Sequence, residues 1–202
     1  MRSALVDEAV RLARLLRELM PDESSVAGLL ALLLLQDSRR AARTDDAGLA
    51  VPLREQDRSR WDGAAIREAV LLVGRALRRS PQRPDPYVVQ AAIASVHAMA
   101  RSFDATDWTA IVSWYDVLRT VQDTPVVRLN RAAAIAERDG PEAGLQAVDA
   151  VDGLEGYPWW HATRAELLRR LGRAGEAADA ADRAVAAGLN EGHARYVTRP
   201  FD

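Results

Sequence analysis

Apolar positions along this chain recur at helical spacing almost throughout, with one long interruption. Leu5, Ala9, Leu12, Leu16 and Leu19 mark the apolar face of a first amphipathic helix. Asp7 with Arg11, and Arg14 with Glu18, sit four apart on the other face, each pair worth about 0.2–0.5 kcal/mol. Pro21-Asp22 stops that helix, and Asp22 or Ser24 is placed to cap a second. The second helix is expected to run to about Arg43 and to lie centrally buried, because its leucines cover more than one face. From Thr44 to Arg60 the helical period is lost. Asp45-Asp46-Ala47-Gly48 signals a turn, and Leu49-Ala50-Val51-Pro52-Leu53 reads as a short extended edge piece, since proline is barred from a central strand. A loop of that length inside a compact domain is uncommon and often functional.

Helical spacing resumes near Asp62, with Ile66, Ala69, Val70, Val73 and Leu77 as the apolar face. Three prolines in Ser80–Pro86 break the chain. Tyr87 to Ala100 is a helix rich in small residues, which permit close helix approach. Asp104 or Thr106 is the expected cap of a helix from Asp107 to about Val121, and Thr124-Pro125 opens the next with proline in the first turn. Beyond it a repeat emerges. Glu142, Ala143, Ala147, Ala150 and Val151 return as Glu176, Ala177, Ala181, Ala184 and Val185, each set following a glycine turn at Gly140 or Gly172. That shift of 34 residues is the tetratricopeptide helix–turn–helix period. The helices preceding those turns, 126–138 and 159–171, align less well, with a slip of a residue or two. Two clear repeats fall short of the three usually needed for a self-sufficient stack, so the earlier helices must complete the core. The expected fold is all-α, a right-handed array of tetratricopeptide-like hairpins with about nine or ten helices and one long loop. One helical domain, 1–202, is expected, comprising an N-terminal helix pair and loop (1–61), middle helices (62–121), two repeats (122–190) and a tail (191–202).

Composition narrows the chemistry. Apolar residues are 49% of the chain, enough for a real core. Charged residues are 28% and nearly balanced at a net charge of -2, which gives no general electrostatic reason to bind nucleic acid. All 27 basic residues are arginine. With no cysteine, disulfides, thiol catalysis and cysteine-ligated metals are excluded. His97, His161 and His193 are far apart and lack metal-site spacing. No nucleophile elbow or phosphate loop is present, and Gly172-Arg173-Ala174-Gly175 joins two helices rather than a strand and a helix. The expectation is no enzyme, no metal and no cofactor. The longest apolar run, Val26–Leu35, is half the roughly 20 residues a membrane-spanning helix needs, and the N-terminus lacks a signal-peptide core. A soluble cytoplasmic protein without membrane contact follows as the expectation.

Two charged clusters flank the long loop: Gln36-Asp37-Ser38-Arg39-Arg40-Ala41-Ala42-Arg43 and Gln56-Asp57-Arg58-Ser59-Arg60-Trp61-Asp62. Asp37, Arg39, Arg40, Asp57, Arg58 and Asp62 could interlock and pin the loop, with Trp61 as an apolar anchor carrying a stacked arginine. The same fork geometry suits a contact surface for a partner or a small anion. Arg39, Arg40 and Arg43 could also touch phosphates, or favour the negative end of a helix dipole. Gln90 and His97, two turns apart on the small-residue helix, read as a satisfied interior polar pair. Trp159-Trp160 opens a repeat helix; adjacent residues diverge, so one should enter the core and the other line a concave face.

Five segments, taken in order, resemble the C-terminal, tetratricopeptide-like extension of certain bacterial extracytoplasmic-function RNA polymerase sigma factors. They are Asp7–Leu16, Gly28–Leu32 with Gln36–Arg43, Gln56–Asp62, Gln90–Ala98 and Val127–Ala132. Gln36 departs from the pattern, in which histidine is expected in many relatives. The resemblance implies a fragment: sigma regions 2 and 4, which contact core polymerase and promoter DNA, would precede this domain, so DNA contact would belong to them. It implies a regulatory module acting on transcription initiation by protein–protein or intramolecular contact. Its partners would be sigma regions 2 and 4, core RNA polymerase or a regulator. The competing class is a small-molecule sensor with a pocket at the Arg/Asp clusters around Trp61, Gln90 and His97.

Overall fold

The structure, a computed structural model, describes residues 2–45, 49–190, 193–194 and 198, without the side chains of residues 2 and 3. Nine α-helices are present among them: α1 Arg2–Leu19, α2 Ser24–Asp37, α3 Gly63–Arg79, α4 Pro86–Met99, α5 Trp108–Val121, α6 Pro125–Asp139, α7 Pro141–Asp149, α8 Pro158–Arg170 and α9 Ala174–Ala186. The fold is all-α and repeat-like, as the periodicity predicts. Where a single helical domain is expected, the chain divides into two compact units, 1–122 and 123–202, with the division falling where the repeats begin.

In the first unit α2 is the hub, packing on α1, α3 and α4. It has no polar face: Val26, Ala27, Gly28, Leu30, Ala31, Leu34 and Leu35 are all buried. At Gly28 the backbones of α2 and α4 approach so closely that an added Cβ would lie 2.5 Å from the Val88 nitrogen. The helix stops at Asp37, not near Arg43. Ser38 is buried and returns its hydroxyl to the Leu35 carbonyl at 2.8 Å, while its own carbonyl accepts from the Asp62 N–H at 2.8 Å. That last bond draws the chain out of the helix and leaves Arg40–Ala42 as a single turn. Neither Asp22 nor Ser24 caps α2; Glu23 holds the N-cap position without a side-chain bond.

Helix α1 lies differently from its predicted face. Val10 and Ala13 pack against the core, whereas Leu5 (69% exposed), Leu12, Leu15, Leu16 and Leu19 (70%) face outward. Ala13 is the buried residue of α1 at that contact, with Val10 beside it, and the bulky leucines are left outside. The expected i,i+4 ion pairs give way to other partners. Asp7 bonds Arg40 at 2.6 Å, Arg14 bonds Glu68 on α3 at 2.5 Å, and Arg11 turns to Glu8. Aspartate or threonine caps open α3 (Asp62), α4 (Asp85), α5 (Asp107) and α6 (Thr124). The α5 cap is Asp107 rather than Asp104 or Thr106; its carboxylate accepts from the Ala110 N–H at 2.9 Å.

The second unit is two helix hairpins, α6–α7 and α8–α9, around one core containing Leu129, Leu145, Val148 and Leu168. Its structural period is 33 residues rather than 34: Pro125 and Pro158 open α6 and α8 (158 − 125 = 33), and α7 and α9 start at Pro141 and Ala174 (174 − 141 = 33). Buried positions follow the shorter register: Leu129 with Ala162, Ala132 with Ala165, Val148 with Ala181, Val151 with Ala184. In the 34-residue register buried Val151 would match Val185, which is exposed. In alanine-rich helices residue identity outlives a one-residue slip, and burial does not. Trp160 packs on this core and donates to the Val148 carbonyl at 3.1 Å, so it is the inward member of the pair. The expected tail, 191–202, falls mostly outside the described residues; His193 and Ala194 return one turn to the Asn190 carbonyl.

Gly28→Ala should cost about 1–3 kcal/mol by forcing α2 off α4. Gly74→Ala in α3, where an added Cβ meets only the mobile Arg78 guanidinium at 3.4 Å, should instead stabilise by about 0.5–1 kcal/mol. Urea unfolding of both variants checks the contrast.

Candidate functional site

The site forms where the chain returns from α2 to α3. Thr44 and Ala50 make an isolated antiparallel bridge, supported by the Val51 N–H to the Arg43 carbonyl at 2.8 Å. Within the Leu49–Leu53 stretch Ala50 makes that bridge and Leu53 already begins a helical turn, and residues 46–48 of the expected turn lie outside the described residues. Single helical turns follow at Leu53–Glu55 and Arg58–Arg60. Asp57 opens the second of these, accepting from the Ser59 N–H at 2.9 Å and its hydroxyl at 2.7 Å. Those bonds hold the carboxyl below the usual carboxylate range, with Arg60 adding a smaller charge effect.

Two arginines of this loop reach the connection between α4 and α5. Arg54 lies over the Phe103 ring at 4.1 Å. Arg58 donates one nitrogen to the carbonyls of His97 (2.5 Å) and Ala100 (2.8 Å) and points the other at the Thr106 hydroxyl at 3.4 Å. Carbonyls at a helix C-terminus lack intrahelical donors and carry the negative end of the dipole, so a guanidinium there satisfies both. Trp61 is buried below, with Arg58 4.7 Å and Arg39 5.9 Å from its ring centre. Its indole Nε1 is buried without a partner.

The interlocked arginine–carboxylate network expected from the two clusters does not form. Asp37 pairs with Arg40 at 2.7 Å, and Arg40 also bonds Asp7, which raises the Arg40 guanidinium above its ordinary value. Asp57 and Asp62 cap turns instead; Asp62 accepts from the N–H groups of Ala64 (2.8 Å) and Ala65 (3.0 Å). In a turn an aspartate reaches a nearby backbone N–H more easily than a distant guanidinium, and local competition wins. The remaining guanidiniums collect together. Gln36 Oε1 accepts from both Arg39 (2.6 Å) and Arg43 (2.8 Å). Burial, then repulsion from Arg43 and Arg58, pushes Arg39 down to about 10.

His97 and Gln90 are not a polar pair. Gln90 donates to Gln122 at 3.3 Å, while the His97 ring meets Trp108 edge-on with centres 5.1 Å apart and its Nδ1 is buried without a partner. Desolvation, reinforced by Arg39 and Arg58, lowers His97 to about 4, so it is neutral at pH 7. Gln90 therefore stands apart from the cluster, and Arg54, Phe103, Thr106 and Trp108 join it without a motif to announce them. The spacing of Arg54 and Arg58, four apart in a loop, was the available signal for a shared target.

In the second unit a groove of about 430 Å³ is lined by Ala133, Trp159, Ala162, Glu166, Ala178 and Asp182 among others. Trp159 is its aromatic wall and meets His193 edge-on at 4.6 Å. Among the described residues no group of three or more metal-ligating side chains gathers, and no helix is long and apolar enough to cross a membrane.

Residues 1–77, which span α1 to α3 and the loop, match the model of a family of unknown function, DUF6596. An uncharacterized protein of Rhizobium meliloti (strain 1021) is 49% identical over 145 residues, which cover 72% of this chain and 34% of that relative. The chain thus spans about a third of the length of the curated relative it matches. No solved structure matches.

The depressed His97 value has a consequence for stability. In the unfolded chain the imidazole takes a proton near pH 6.5, and in the folded state only near 4, so its contribution is full above about 6.5 and lost as pH falls towards 4. Thermal unfolding between pH 7 and 4.5 should show Tm falling in the wild type, and a shallower fall in His97→Phe, which keeps an aromatic edge on Trp108.

Proposed function

We propose that this chain is a non-catalytic regulatory module of an extracytoplasmic-function RNA polymerase sigma factor. It works in the cytoplasm on transcription initiation through contact with sigma regions 2 and 4, with core polymerase or a regulator as further partners. Promoter DNA is touched only by those other regions. The observation that carries a contact role is the outer face of α1. Leu5, Leu12, Leu15, Leu16, Leu19 and Met20 form an apolar stripe, each at least 40% exposed. A contiguous patch of that kind marks an interaction surface rather than ordinary solvent-facing helix. Three further points support the reading. The five segments resembling the sigma-factor extension occur in order along the chain. The architecture is a helical repeat, a class whose surfaces commonly bind other polypeptides. The relative from Rhizobium meliloti is longer than the matched stretch, so a sequence of this kind occurs there within a larger chain.

The test is promoter-specific transcription with core polymerase and the longer sigma protein, with and without this domain. Deletion should change promoter-specific output, and Leu12→Glu with Leu16→Glu should reproduce much of that change while leaving the helical signal and Tm nearly intact. Equal transcription from all three proteins sinks the regulatory reading.

A further inference from the structure

The cluster at the C-terminal end of α2 has an unbalanced charge. Arg39, Arg43 and Arg58 converge there, and among the described residues no carboxylate pairs with any of them. Elsewhere in the chain arginines readily find carboxylates, as in Arg14–Glu68, Arg128–Asp123 and Arg170–Glu137. Of the acids near in sequence, Asp37 is committed to Arg40, Asp45 accepts from the Leu49 N–H, Asp57 holds Ser59, and Asp62 caps the first turn of α3. What holds Arg39 and Arg43 side by side is the neutral amide oxygen of Gln36, which takes one bond from each. A neutral acceptor satisfies two N–H groups and cancels no charge.

Bulk water does not remove the problem either. Arg39 is half-buried against Trp61, and burial together with the two neighbouring guanidiniums pushes it well below its ordinary value. Beside them the Trp61 indole N–H is buried and has no acceptor, and His97 Nδ1 is likewise unpartnered. A buried donor left unmade costs about 1–3 kcal/mol. Arg43 and Gln36 are exposed, so the cluster opens to the surface on that side.

We propose that Arg39 and Arg43, with Arg58 behind them over the Trp61 ring, form a binding site for a phosphate group. Guanidinium forks match its oxygens in pairs. Two or three converging positive charges favour a group carrying about −1.5 to −2 over a monoanionic carboxylate. Arg58 is tied to the α4 carbonyls and contributes field, while Arg39 and Arg43 have the uncommitted N–H groups. The site stands independently of any role in transcription.

The test uses the whole chain and inorganic phosphate at constant ionic strength maintained with sodium chloride. Phosphate should raise Tm saturably, by roughly 2–4 °C at excess, and should shift the Trp61 indole N–H resonance, assigned by its loss in Trp61→Phe. Arg43→Gln, an exposed change that should leave the fold intact, should abolish both effects, and Arg39→Gln should do the same. A non-saturating rise of equal size in wild type and Arg43→Gln would be general salt exclusion and overturns the proposal. So does an unmoved Trp61 resonance. Saturation by acetate at the same concentration as phosphate assigns the site to carboxylates and overturns the choice of phosphate.

Discussion

Helix α2 has no face that tolerates water, and the first unit is built to enclose it. Seven of its fourteen residues are buried, and three other helices are laid against it. At about 25 cal/mol per Å² of apolar surface, enclosing such a helix is a large favourable term. It also creates a difficulty at the end of the helix, where the chain must leave a dry core, cross to α3 and take its polar backbone with it. The answer is a sequence of polar devices. Ser38 turns back on the helix, Asp62 both bonds Ser38 through its N–H and caps α3, and Trp61 fills the space between. Arg58 then fastens the loop to the open carbonyls of α4. Arg54 adds a second hold on the same connection through Phe103.

This arrangement gives the two charged clusters different jobs. The second cluster is mostly scaffold, because Asp57 and Asp62 shape turns and Arg58 bridges to α4. Part of the first is scaffold too, since Asp37 and Arg40 tie the end of α2 to Asp7 of α1. Arg39 and Arg43 remain, held by Gln36 and turned towards each other. The same loop thus contains a fastening and, beside it, a positive region that no carboxylate among the described residues pairs with. His97 belongs to both: its carbonyl receives Arg58, and its ring sits neutral in the field of the arginines.

Much of the fold was legible from periodicity. Helix identity, the central burial of α2, the loop after it, the proline start of α6 and the inward–outward split of Trp159 and Trp160 follow from spacing and turn chemistry. What spacing could not reveal was which of two competing contacts wins. On α1 the leucines form the obvious apolar face, yet the tight seam against α2 admits Ala13 and Val10 instead. In the clusters, charge suggested Arg–Asp pairing, and local backbone capping took the aspartates. In the repeats, alanines coincided at 34 residues while burial follows 33. Each miss concerns tertiary competition between contacts that look equally good in one dimension. The site was legible as a place and not as an arrangement, since Phe103, Thr106 and Trp108 reach it only through folding.

Arg58 closes the first unit by joining the loop to the end of α4. Native-state hydrogen exchange on Arg58→Met, which keeps the apolar stem and removes the guanidinium, addresses it directly. Without the guanidinium, amides of residues 57–62, the Asp62 N–H bonded to Ser38 among them, should lose protection together with the last turn of α4, while the centre of α2 exchanges only by global unfolding. Unchanged protection across the loop and α4 would contradict it and leave the loop fastened by Trp61 packing, Arg54 and the Ser38–Asp62 bond.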